Sequence, residues 1–257
     1  MSTLFLTERK FEARIRELEG YRYRDCITID KFTAQEDDGK IGAYPPESYD
    51  KNSVMKLGDY WKGRDRYIWL HADVDCHLPN NSRQVVGLFS FGKTGGGHNS
   101  GFESLLFVNG KPYQGVDSNH EEVLFDEHST KGPMSLDFRL WSGLEGGGVP
   151  VENEFKLEMA KIGWLDRRVD NLYYTLLAAY EVLMETSEAD SAYTILKQVL
   201  TDALQLISWT EPGSHEFYES CYEAEENLTK SLTTINKSTD ITVHTVGHTH
   251  IDVAWLW

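Results

Sequence analysis

Glu103-Ser104-Leu105-Leu106-Phe107-Val108-Asn109-Gly110-Lys111-Pro112-Tyr113-Gln114-Gly115-Val116 reads as two strands joined by a tight turn. Asn-Gly between two apolar-rich runs is a strong short-range hairpin signal, because both residues tolerate the positive φ of a type I′ turn. Working outward, the same chemistry recurs on both sides. Upstream lie Cys26 to Ile29, the aromatic-rich run Tyr67 to Val74, and Gln84 to Phe91. Downstream, Met134 to Trp141 alternates, and Phe155 to Ile162 follows as one further run. Short strands separated by turn residues predict a mainly antiparallel β-sandwich, jelly-roll-like, over about Tyr21 to Leu165.

Both flanks of this region change period. Before it, Phe11, Ile15 and Leu18 form a narrow apolar stripe over Thr7 to Glu19, which predicts a surface helix laid on something larger. After Trp164 three amphipathic stripes follow. The first runs through Leu172, Leu176, Ala179, Tyr180 and Leu183, with Asp170 placed as its cap. The second runs from Tyr193 to Ile207, and the third from Phe217 to Ile235. Short connections between them predict antiparallel packing. The reading is therefore α+β, with a sandwich domain and leading helix at 1–165 and a helical connector at 166–240.

The chain then enters Ile241-Thr242-Val243-His244-Thr245-Val246, β-branched and nearly uncharged, which suits a buried strand of a parallel sheet. Gly247, His248, His250 and Asp252 follow. In extended backbone, residues two apart share a face, so His248, His250 and Asp252 point one way. Two imidazoles and a carboxylate there form part of a zinc site. A core histidine and a helix-capping aspartate explain the same residues without a metal.

The longer string His248-Thr249-His250-Ile251-Asp252-Val253-Ala254-Trp255 resembles the opening motif of glycoside hydrolase family 38, the class II α-mannosidases, and the element order is similar to the cytosolic-type members. The resemblance implies that residues 241–257 begin a catalytic β/α barrel. It implies zinc ligation by His250 and Asp252, support from His248, and a sugar platform at Trp255. It also implies that the nucleophile and the remaining ligands lie beyond Trp257, so that no catalytic residue falls within the 257. A retaining glycosidase needs two carboxyl groups about 5 Å apart. The expectation is the N-terminal portion of a zinc-dependent retaining α-mannosidase acting on mannose-containing oligosaccharides, inactive alone. The rival is a non-catalytic carbohydrate-binding or assembly module.

Other signals narrow the partners. Lys and Arg total 25 against 41 Asp and Glu, for a net charge of −16, which argues against nucleic acid and anionic membrane. No apolar run is long enough to span a bilayer, and charge at Glu8 comes too early for a signal-peptide core. Cys26, Cys76 and Cys221 are odd in number and widely spaced, as in reduced cytoplasmic proteins. A homo-oligomer is a candidate if the terminal strand pairs with a second copy.

Two polar segments invite chemistry. His71, Asp73, Asp75 and His77 alternate over one strand end, where they form either a chelating set or an exposed polar face. Gly115 to Glu122 gathers Asp117, Asn119, His120 and Glu121 near Tyr113, which suits sugar hydroxyls or a turn bonded to its own backbone. Lys93 to Gly97 and Gly146 to Gly148 lack the spacing of a phosphate loop.

Overall fold

The computed structural model describes residues 8–37, 39, 42–75, 83–92, 102–144, 149–150, 152–235, 242 and 244–247. Among the described residues, helix α1 (Glu8–Glu19) is followed by twelve strands: β1 (Tyr23–Thr28), β2 (Lys31–Asp37), β3 (Val54–Lys56), β4 (Tyr60–Gly63), β5 (Tyr67–Val74), β6 (Gln84–Ser90), β7 (Glu103–Val108), β8 (Lys111–Asp117), β9 (Glu122–Leu124), β10 (Met134–Trp141), β11 (Asn153–Lys156) and β12 (Met159–Leu165). Helices α2 (Arg167–Glu185), α3 (Ser191–Leu206) and α4 (His215–Thr234) close the sequence of elements. The chain is thus α+β, with antiparallel pairing in all three sheets.

A six-stranded sheet in the order β3-β2-β5-β10-β7-β8 shares one core with a four-stranded sheet, β1-β12-β6-β9. Period-2 alternation supplies that core. Phe32, Leu70, Leu106 and Phe138 come from the first sheet, and Phe89, Val123, Ala160 and Ile162 from the second. Phe138 packs against Phe89 at 4.8 Å and Phe91 at 4.9 Å between ring centroids, both nearer edge-to-face than parallel. Such pairs add about 0.5–1.5 kcal/mol beyond their area burial. The arrangement is sandwich-like.

The 109–110 turn forms as expected. Asn109 and Gly110 have φ of 51° and 74°, the left-handed pair of a type I′ turn. Its position is fixed by β10: the Asn109 amide donates to the Ser135 carbonyl at 2.8 Å, and the Ser135 amide to Asn109 Oδ1 at 2.9 Å.

The run from Phe155 to Ile162, expected as one strand, is two. Leu157 is fully buried, and its backbone bonds Gly58 and Asp59 while Glu158 N–H already reaches Ser90. The chain therefore changes partners there. β11 pairs with β4 in a two-stranded sheet, and β12 joins β1 and β6.

A second core unites all four helices. The stripe of α1 does not lie on the sheets: Phe11, Ile15 and Leu18 are buried in the helical core, where α1 packs against α2 and α3, so the leading helix packs with the helical segment. The cap of α2 is Asp166, not Asp170. Asp166 has extended φ and ψ directly after β12, and its carboxylate accepts from the amides of Arg168 and Val169 at 3.2 and 3.3 Å. Asp170 lies in the first turn and binds Arg22 instead.

The expected strand at 241–246 is not observed where the structure describes it. Thr242 and His244 to Gly247 are exposed and outside any strand, with Val246 81% exposed. A strand of buried type needs neighbours on both edges and both faces. No helix among the described residues is long and apolar enough to cross a membrane.

Candidate functional site

His248, His250, Asp252 and Trp255, the residues expected to hold zinc and a sugar ring, lie outside the described residues, as do both glycine-rich loops and His77. Among the described residues no group of three or more His, Cys, Asp or Glu side chains is placed to hold a metal ion.

A groove with a volume of about 1030 Å³ lies elsewhere in the described structure. It is built on the face of the six-stranded sheet turned away from the core. Ala72 and Leu136 point inward as a cross-strand pair, so the neighbouring pairs His71–Asp137 and Asp73–Ser135 point outward. His71 Nδ1 lies 2.8 Å from Asp137 Oδ1 and Nε2 lies 3.5 Å from Asp73 Oδ2. The same Asp137 oxygen accepts from the Tyr49 hydroxyl at 2.7 Å, and the Tyr49 ring stacks on the imidazole at 4.6 Å. Tyr49 therefore fastens the loop from Gly42 to Asn52 across the sheet face, and Tyr44 docks beside Phe107 with 6.0 Å between centroids.

The electrostatics follow from this packing. The hydrogen bond to Asp137 raises the His71 pKa, against the opposing effect of burial, with the Asp137 and Asp73 charges adding to the rise. Burial, then the bond to Asp137, pushes the Tyr49 phenol up. At neutral pH this is a neutral phenol beside an imidazole biased toward its charged form, both anchored on one buried carboxylate.

Neither Tyr49 nor Asp137 was singled out by sequence reasoning. The outward position of Asp137 was implied by the alternation of Met134 to Trp141. Their meeting was not.

Within the Gly115–Glu122 segment, residues 117–120 form a turn bonded to itself between β8 and β9. Asp117 Oδ1 accepts from the amides of Asn119 at 2.7 Å and His120 at 3.0 Å, and the His120 ring lies 3.0 Å from both carboxylate oxygens. Tyr113 donates to the Leu124 carbonyl and accepts from the Asp126 amide. Glu122 faces the helical side, accepting from Tyr23 and from Arg22.

No protein-family model matches the chain. Curated proteins do. The chain is 29% identical over 171 residues to Alpha-mannosidase 2C1 of Mus musculus, and 27% identical over 171 residues to Alpha-mannosidase 2C1 of Homo sapiens, in each case covering 60% of this chain and 16% of the relative. It is 24% identical over 255 residues to Alpha-mannosidase G of Dictyostelium discoideum, covering 94% of this chain and 20% of that protein. The chain is similar to proteins named α-mannosidases. This relationship supports the family 38 resemblance carried by the terminal motif. The chain spans no more than about a fifth of the length of these relatives. Among solved structures it is similar to CBM51-2 in complex with GlcNAc and INT domains from Clostridium perfringens ZmpB, at 12% identity and a TM-score of 0.24, covering 87% of this chain and 46% of that one. That likeness is too low to carry an argument.

Proposed function

We propose that this chain is the N-terminal portion of a zinc-dependent retaining α-mannosidase that hydrolyses α-mannosides of oligosaccharides in the cytoplasm. The observation that carries the reading is similarity to an α-mannosidase over 94% of the chain. In this reading the strands up to residue 165 form a jelly-roll-like sandwich domain, 166–240 is a helical connector on which the leading helix packs, and 241–257 is the first strand of a catalytic β/α barrel.

The donor types fit the metal. His250 and Asp252 offer neutral imidazole nitrogen and ionised carboxylate oxygen, both ordinary zinc ligands, with His248 in support and Trp255 as an aromatic face for a sugar ring. Zinc in such a site supplies a Lewis acid that holds and orients sugar hydroxyls. The nucleophile comes from a residue beyond Trp257, and a carboxylic acid across the scissile bond protonates the leaving oxygen.

The assay is hydrolysis of an aryl α-mannoside. The natural polypeptide that carries these 257 residues and continues past them turns the substrate over, and residues 1–257 alone do not. Turnover by residues 1–257, freed of host enzyme, would place the catalytic carboxylates within them and overturn the proposal.

A second reading is favoured by one observation, the groove between the 42–52 loop and the outer sheet face. Under it, the described part is a carbohydrate-binding or assembly module.

A further inference from the structure

We infer that the groove bounded by Tyr44, Tyr49, His71 and Asp73 is a binding site for a neutral oligosaccharide. This gives the second reading its site and stands independently of the zinc ligands, since none of its residues belongs to the terminal motif.

The size fits. Small-molecule sites run from about 300 to 1,000 Å³, and this groove is at the upper end, room for more than one sugar ring. A sugar presents apolar C–H faces and a rim of hydroxyls, so its site needs an exposed ring and fixed polar acceptors. Tyr44 is 64% exposed although it borders a cavity, with one edge backed by Phe107, and Pro45 and Pro46 stiffen the wall behind it. The Asp73 side chain, which also lines the groove, is 77% exposed, and a carboxylate accepts from two hydroxyls at once. Between them the polar floor is already ordered. Asp137 is buried and held by Tyr49 and His71, so the imidazole is oriented before any ligand arrives.

Charge narrows the class. Asp30, Glu47, Asp73, Asp75 and Asp137 line the groove against Lys31, Lys51 and His71, which disfavours phosphates and other anions. A cation is the competing ligand. Asp73 and Asp137 are both engaged with His71, whose raised pKa offsets part of their charge, and this favours a neutral polyol.

The experiment titrates the purified 257-residue chain by calorimetry with α-mannotriose, maltotriose and an oligolysine peptide. Tyr44→Ala and Asp73→Asn alter exposed side chains, and circular dichroism checks that each variant keeps the fold. The expected result is saturable binding of at least one trisaccharide, weakened about ten-fold or more by each substitution, about 1.4 kcal/mol. Absence of trisaccharide binding, binding unchanged in both variants, or binding of oligolysine alone would overturn the inference. Loss of aryl mannoside hydrolysis in His250→Ala leaves it untouched, so the two readings fail separately.

Discussion

Arg22 and Asp170 join the strand-rich part of the chain to its helices. The buried guanidinium donates from Nε to Asp170 Oδ1 at 2.7 Å, reaches Glu122 with a terminal nitrogen at 3.4 Å, and lies over the rings of Tyr23, Tyr173 and Tyr174 at 4.7–5.1 Å. One side chain thus touches β1, β9 and α2. Removing one partner of a buried ion pair costs about 3–5 kcal/mol, and the partial exposure of both carboxylates lowers this to about 2–3 kcal/mol. Arg22→Ala should lose that much in urea denaturation. Arg22→Lys should recover less than half, because an ammonium lacks the planar fork and the ring stacking. Wild-type stability in Arg22→Ala would show that the two cores are held together elsewhere.

Gly163 and Gly115 both lie within strands, and the structure separates them sharply. A methyl at Gly163 would meet Arg24 O and Cys26 Sγ, each at 2.6 Å, whereas at Gly115 its nearest neighbour is Ser104 O at 3.8 Å. Gly163→Ala should therefore push β1 from β12 and destabilise by about 1–3 kcal/mol, and Gly115→Ala should be neutral or slightly stabilising. Thermal melts of the two variants read this directly; equal melting temperatures would refute the close β1–β12 approach.

His71 gives the pH dependence a sign. Its folded pKa is raised above the ordinary 6.5, first by the bond to Asp137. Its stabilising contribution is complete below the unfolded pKa and is lost as pH rises through the folded one. His71→Phe keeps a ring beneath Tyr49 and removes the titration. The stability gap between wild type and this variant should be wider at about pH 5 than at about pH 9. A gap independent of pH would mean that the Asp137 contact does not favour the charged imidazole.

These residues also show what the sequence could and could not disclose. Asn109-Gly110 and the three helical stripes were legible because the signals are local: a turn type that needs two positive φ angles, and a 3.6-residue period. Strand β2 was not, because Phe32 and Ala34 are its inward apolar residues and the rest is polar. The split of Phe155 to Ile162 depends on backbone partners at Gly58, Asp59 and Ser90, which no periodicity encodes. The destination of α1 depends on which core lies nearest once the chain has folded. The Tyr49–His71–Asp137 cluster joins positions separated by 88 and 66 residues, so only tertiary structure assembles it.

His250 and Asp252 are proposed above as zinc ligands of an α-mannosidase. Metal analysis by mass spectrometry of the natural full-length polypeptide, with His250→Ala and Asp252→Ala alongside, tests it most directly. Wild type should carry zinc in stoichiometric amount. Each variant should lose most of it together with aryl α-mannoside turnover, because a site reduced by one ligand forfeits a bond and keeps the entropy cost of the rest. Full zinc occupancy and normal turnover in Asp252→Ala would contradict the account.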